Sequence, residues 1–251
     1  MTSSHGTEVG STESSLRGRT VVIAGASSGM GLATAHAALA QGADVTIMAR
    51  EEGPLRQAAA ALGAGAHAVA TDATDEEAVD RLFDDLGSVD HVVSFTGQQT
   101  FGPVAELDRA ELHRSIDARV WAARNLCRAA APRMRSGGSF TFCSGTSAWR
   151  PQPNRGAGAA STAAIESFGR AMAIELAPLR VNTVCPGVID TPVTRRAVER
   201  GHGAMLATLR ERIPLGRLGE PDEVAHAVVF LMTNSYVTGI VLHVDGGLLR
   251  A

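Results

Sequence analysis

The chain is poor in several things that would assign it to a class. No apolar run approaches the roughly 18 residues that a membrane-spanning helix requires, which excludes a helical membrane protein. Positive charge is not in excess: 23 basic and 26 acidic residues leave a formal charge of −3. Nucleic acid and anionic membrane surfaces select basic fields, so neither is an expected partner. Cysteine is limited to Cys127, Cys143 and Cys185. An odd, widely spaced set supports neither a disulfide framework nor a zinc site, and no metal is expected. Cys143 and Cys185 each end an apolar run, which reads as a small buried side chain. Residues 1–15 carry no apolar segment of the signal-peptide kind; polar and rich in Gly, Ser and Thr, they read as a disordered tail. A reducing cytoplasm is the expected compartment. Tyrosine occurs once, as Tyr236.

What is present is enough for one large domain over 16–251. Hydrophobic residues make up 45% and charged residues 20%, an ordinary globular balance. Short β-branched runs alternate with helical stretches. The strands expected are Thr20–Gly25, Asp44–Ala49, His67–Asp72, Val89–Phe95, Gly138–Ser144, Arg180–Gly187 and Ile240–Gly247. Helical patterns fill the intervals, including a long one over Asp108–Met134 and another from about Gly158 to Leu176. Repeated βα units with apolar strands predict an α/β fold: a doubly wound parallel seven-stranded sheet with helices on both faces. Such sheets bind ligands at the carboxyl ends of their strands, where the strand order reverses.

"AGASSGMG" (Ala24–Gly31) follows the first strand and opens a helix. Gly25 permits the tight turn, Gly29 lets backbone approach a diphosphate, and Gly31 permits close helix–strand packing. The helix N-terminus adds free N–H groups and a positive dipole end. At the end of the second strand an acidic residue would hold the ribose 2′-hydroxyl of NAD. Ala49 stands there and Arg50 follows, which suits the 2′-phosphate of NADP. NADP(H) is therefore preferred, with NAD(H) open. On the alternative reading Arg50 is a solvated charge partly neutralised by Glu51 and Glu52.

These residues, with Asp72, Gly97 in "VVSFTG", "RVNTVCPGVIDTP" (Arg180–Pro192), "PLGRLGEPDEVAHAVVFL" (Pro214–Leu231) and "VLHVDGG" (Val241–Gly247), carry a resemblance. From about Leu16 to Leu248 the chain resembles the short-chain dehydrogenase/reductase family, whose fold is Rossmann-type. The resemblance implies that Asp72 holds the adenine and that Pro186–Thr191 contact the nicotinamide carboxamide. It implies that the last helix and strand build a homotetramer, with a homodimer as the lesser assembly. The implied cofactor-binding set is Gly25, Ser27, Ser28, Gly29, Met30, Gly31, Arg50, Asp72, Ala73, Phe95, Thr96, Gly97, Pro186, Gly187, Val188 and Thr191.

The resemblance also implies a hydride transfer between the nicotinamide and a carbonyl or alcohol carbon of a small molecule. In the family a Tyr moves the proton, and a Lys one helical turn later lowers its pKa. A Ser at the end of the fifth strand binds the substrate oxygen, and an Asn in the preceding long helix holds a relay water. Matched position by position, this chain departs from all four. Ser144 takes the first serine place and Gly145 the second, catalytic one. Gly158 stands where the family has Tyr and Thr162 where it has Lys. Asp117 takes the helix Asn, and Phe95 the Asn of the family's Asn-Ala-Gly. The flanking "GAASTAAIESF" matches well, and Tyr236 lies too far along the chain to substitute.

Losing a general acid costs about 10² to 10⁴ in rate, or roughly 3–5 kcal/mol. Holding the nicotinamide against a carbonyl still supplies about 7–11 kcal/mol through orientation. A divergent reductase is therefore physically allowed. The replacement candidates are Asp117 with His113, four residues apart on one helix face, together with Ser144 and Thr162. The bland readings are a helix-packing Thr, a core His and an Asp that satisfies backbone donors. Ser147, Trp149, Arg150 and Arg155 border the expected substrate pocket, where an arginine could take a substrate carboxylate or phenolate. Trp121 is a candidate stacking surface, and the segment holding His202 and Met205 a candidate lid. Three functions follow: an NADP(H)-dependent reductase of polycyclic, aromatic or quinone-like carbonyls, a non-redox enzyme, or a non-catalytic cofactor-binding subunit.

Overall fold

A computed structural model of the chain describes residues 15–97, 100 and 102–251, apart from the side chains of Arg200, His202, Ala204 and Met205. All of the expected tail except Ser15 lies outside them. Ser15 donates its N–H and hydroxyl to Gln41 Oε1 at 3.2 and 3.1 Å.

Seven parallel strands form one sheet: β1 (Thr20–Ala24), β2 (Asp44–Ala49), β3 (Ala66–Ala70), β4 (Val89–Ser94), β5 (Met134–Cys143), β6 (Arg180–Pro186) and β7 (Val241–Val244). Their order is β3-β2-β1-β4-β5-β6-β7. The described helices are α1 (Gly29–Ala40), α2 (Glu52–Leu62), α3 (Glu76–Leu86), α4 (Arg109–Ile116), α5 (Ala122–Ala130), α6 (Gly156–Glu175), α7 (Pro192–Ala197), α8 (Gly203–Arg212) and α9 (Pro221–Thr233). Both sheet faces are covered, which is why the strands read as continuous apolar runs. In β1, Val21 and Ile23 pack with Ala35 and Ala38 of α1 and Val224 and Val228 of α9. Val22 and Ala24 point the other way, toward Val79 and Phe83 of α3, Leu126 of α5 and Ile165 of α6. Strand β1 pairs with β2 on one side and β4 on the other. The chain order reverses between β1 and β4, and this opens a crevice at their carboxyl ends.

Several boundaries differ from expectation for local reasons. Strand β3 stops at Ala70 rather than running to Asp72. There the Asp72 carboxylate accepts from the Thr74 N–H and hydroxyl at 2.9 and 2.8 Å, a turn that competes with the ladder. The long helical region is broken. A π-helical turn over Asp117–Trp121 separates α4 from α5, and a 3₁₀ turn containing Pro132 ends α5 before Met134. Strand β5 therefore begins four residues earlier than Gly138, and α6 begins at Gly156. The segment read as a lid is largely helical. The Thr191 side chain caps α7, Pro192 starts it, and α8 follows. The side chains of His202 and Met205 lie outside the described residues.

Among the described residues no helix is long and apolar enough to cross a membrane. The three cysteines are free and buried. Burial pushes the Cys143 thiol up to about 11 and Cys185 up to about 12, and Cys127 higher still. These thiols stay protonated, as small buried side chains do.

Candidate active site

Two neighbouring clefts open at the carboxyl ends of the strands. The larger, of about 560 Å³, is lined by Gly25, Ser27, Ser28, Arg50, Asp72, Ala73, Phe95, Thr96 and Gly97 from the expected set. The smaller, of about 190 Å³, takes Met30, Pro186, Gly187 and Val188 from that set. Gly29, Gly31 and Thr191 line neither cleft. They hold the larger one in shape. A Cβ on Gly31 would stand 2.3 Å from the Gly25 carbonyl oxygen, so α1 can lie this close to the loop only with glycine there. A Cβ on Gly29 would stand 3.3 Å from Thr191 Cγ2, which places α7 beside the loop.

The larger cleft fits a dinucleotide. Gly25 has φ +78°, and a Cβ there would meet the Phe95 carbonyl carbon at 3.0 Å, so the loop backbone itself borders the cleft. Helix α1 starts at Gly29 with Ser28 extended at its N-cap, and the Ser28 side chain makes no capping bond. The first N–H groups of α1 are left for a ligand. Arg50 forms no ion pair among the described residues, whereas Glu52 is engaged by Arg56 at 2.5 Å. Arg114 and Arg196 line the same cleft, which sequence reasoning missed because they come from α4 and α7.

Three of the four places of the expected catalytic set, at Gly145, Gly158 and Thr162, lie together beside Ser144, and their side chains are committed elsewhere or absent; the fourth, Asp117, lines the larger cleft. Ser144, Gly145, Gly158 and Thr162 all line the smaller cleft. The Ser144 hydroxyl donates to Glu166 Oε1 at 2.8 Å. Trp149 Nε1–H donates to both Glu166 oxygens at 3.0 Å. Glu166, buried in α6, thus joins the Ser144 hydroxyl and the Trp149 indole N–H on one carboxylate. The Thr162 hydroxyl bonds to the carbonyls of Gly158 and Ala159 at 2.8 and 3.0 Å and to Ser147 Oγ at 3.1 Å. A Cβ on Gly158 would meet nothing within 4 Å, so a side chain can leave the helix there without displacing a neighbour.

The expected His113–Asp117 pair is not brought together at either cleft. His113 is exposed on α4, where its Nε2 accepts from Arg109 Nε at 3.3 Å. Asp117 lines the larger cleft instead of the smaller one. Trp121 is 54% exposed and lines neither cleft. Arg150 donates to the carbonyl oxygen of Leu248 at 2.9 Å and to that of Ala251, so it anchors the last residues.

Arg119 was not anticipated. It leaves the π-helical turn and enters the smaller cleft, where Nη1 donates to the Cys143 carbonyl at 2.7 Å. Its Nε is buried without a hydrogen-bond partner. Burial lowers its pKa and the nearby Cys143 opposes the shift, yet a guanidinium remains a cation in a folded protein. One signal in the sequence pointed to arginine: the chain contains no lysine, and all 23 basic residues are Arg. Any cation in this site had to be a guanidinium or an imidazolium.

Comparison with known proteins finds relatives over most of the chain. A family described as Enoyl-(Acyl carrier protein) reductase matches residues 25–249. A cis-4-hydroxycyclohexanecarboxylate dehydrogenase of Sinomonas cyclohexanicum is 36% identical over 242 residues, covering 91% of this chain and 96% of that one. Among solved structures, a short chain oxidoreductase from Pseudomonas aeruginosa PAO1, described as containing an atypical catalytic center, is 31% identical with a TM-score of 0.86. It covers 95% of this chain and 99% of its own. The MalC reductase/Diels-Alderase of Malbranchea aurantiaca is 27% identical with a TM-score of 0.88, over 95% and 99% of the two chains. The phosphate loop, the strand order and these likenesses agree, and the chain belongs to the short-chain dehydrogenase/reductase family of NAD(P)(H)-binding oxidoreductases.

Proposed function

We propose that this protein is an NADP(H)-dependent reductase of a polycyclic, aromatic or quinone-like carbonyl, working without the family's tyrosine. The carrying observation is the contrast between the clefts. The larger keeps its phosphate loop and an Arg50 that forms no ion pair among the described residues. The smaller has Gly145, Gly158 and Thr162 where the family has its acid and cation. The bound cofactor supplies the hydride. This chain supplies position: the loop and the first turn of α1 hold the diphosphate, Arg50 takes the 2′-phosphate, and Asp72 borders the adenine end. Pro186, Gly187 and Val188 border the reacting end and limit the water that reaches it. A polarised quinone carbonyl needs less acid assistance than a simple ketone, which favours that substrate class. The reading also expects a homotetramer or homodimer in a reducing cytoplasm.

A second reading is a non-redox enzyme that uses the same pocket for shape and polarity. Its support is the likeness to a protein named both reductase and Diels-Alderase. A third, a non-catalytic cofactor-binding subunit, shares the cofactor cleft. Fold alone does not separate them. The test is NADPH oxidation followed at its absorbance band across quinones, hydroxynaphthoquinones and polycyclic ketones. Turnover of at least one is expected. Tight NADPH binding with no turnover across the panel would overturn the reductase reading, and product without NADPH consumption would favour the second.

A further inference from the structure

Arg119 has no role in the functions above. One nitrogen is fixed on the Cys143 carbonyl at 2.7 Å. Its Nη2 lies 2.6 Å from the point where a Cβ on Gly97 would stand. Gly97 lines the larger cleft and Arg119 the smaller, so the guanidinium sits on the boundary between the two. No carboxylate among the described residues pairs with Arg119. The smaller cleft also carries Arg150 and Arg155 and, among its described lining, no Asp or Glu. A cation withdrawn from water without a counter-ion is costly, and the cost falls when a ligand brings the anion.

We infer that Arg119 is the oxyanion donor of the smaller cleft: it binds a phenolate ligand as the anion and, in the reaction, the alkoxide that develops on the substrate's carbonyl oxygen. For the reaction this rests on the reductase reading. Hydride from the dihydronicotinamide bonds to the carbonyl carbon, the C=O π pair moves onto oxygen, and the nicotinamide is oxidised. Arg119 holds the resulting oxyanion, and water then gives the proton that completes the alcohol. Arg119 donates no proton; it acts as a preorganised oxyanion donor does, by being in place before the charge develops. Quinones and hydroxyquinones, whose reduction places a delocalised negative charge on oxygen, are the substrates this arrangement fits.

The probe is 4-nitrophenol, which ionises near neutral pH and whose phenolate absorbs in the visible. It is titrated into the full-length protein with and without NADP⁺, and its ionisation is read spectroscopically. In the wild type the bound phenol is expected to have its pKa lowered by about one unit or more, a tenfold preference for phenolate. Arg119→Gln, which keeps a donor for the Cys143 carbonyl, should lose that preference, and Arg119→Lys should keep most of it. Thermal melts check that each variant folds. An unshifted or unbound nitrophenol in the wild type overturns the inference without any variant. So does an Arg119→Gln protein that shifts the probe as the wild type does. A lowered pKa with no NADPH turnover leaves the role of Arg119 standing and removes the reductase reading instead.

Discussion

Burial makes His91 sensitive to pH. It lies in β4, 5% exposed, with Nδ1 at 2.8 Å from Ser139 Oγ. Burial, only partly opposed by neighbouring Asp90, lowers its pKa from 6.5 to about 4. The folded state resists the proton that the unfolded state accepts. Stability is therefore complete above the unfolded pKa and falls as pH drops from about 6.5 toward 4, by up to roughly 3 kcal/mol. The urea midpoint should fall over that window, and His91→Asn should flatten the dependence at some cost in baseline stability. A wild-type midpoint that does not change between pH 7 and 4.5 would refute this. Asp90 acts in a different window. Burial would raise its pKa, but bonds from Thr20 N–H, Arg19 and Arg135 outweigh it and lower the value. Its contribution is lost only in stronger acid.

Helix α6 carries Gly158 and Thr162, the positions at which the family resemblance implies a tyrosine and a lysine. It has glycine at 156 and 158 in its first turn, a weak start for a helix. Open space at Gly158 means that nothing in the packing demands glycine there. A Cβ on Gly145 would meet only Thr162 Cγ2, at 3.5 Å. The Gly145→Ser, Gly158→Tyr double variant should therefore fold. It should also raise kcat/KM for ketone reduction by about 10²-fold, the low end of general-acid catalysis. A folded double variant with unchanged kinetics would mean that position 158 no longer faces the reacting carbon. The element's existence and spacing were legible in "GAASTAAIESF". Its bonding was not, because the Ser144, Trp149 and Glu166 contacts join positions 17 to 22 residues apart. The π-helical turn was equally hidden, since periodicity over Asp108–Met134 cannot report one wide turn.

At the scale of the whole molecule the sheet places two clefts side by side at its switch point, and cofactor binding should be felt by the whole fold. A ligand at 100 times its Kd stabilises the native state by about 2.7 kcal/mol. For a chain of this size that raises Tm by roughly 5–10 °C. NADPH should produce this rise in a thermal melt and NADH a smaller one. Arg50→Ala should remove the difference while leaving the NADH shift in place. Equal shifts for both cofactors in the wild type would refute the 2′-phosphate role of Arg50. The parallel seven-stranded sheet and the glycine loop at its first βα turn were readable because each rests on local pattern: apolar strands between helical stretches and glycines at short spacing.

By itself the sequence determined the α/β alternation, the glycine-rich loop after the first strand and the presence of Gly158 and Thr162 at their places in α6. Each is a matter of residue identity at short spacing, and strand and helix periods translate it directly into position. The tertiary structure decided the rest. It separated His113 from the site, spent Ser144 on Glu166 and Arg150 on the last residues of the chain, and brought Arg119 into the cleft. Hydrogen-bond partners and charge environments are set by which elements pack together. A single extra-wide turn between α4 and α5 leaves no mark in the hydrophobic pattern.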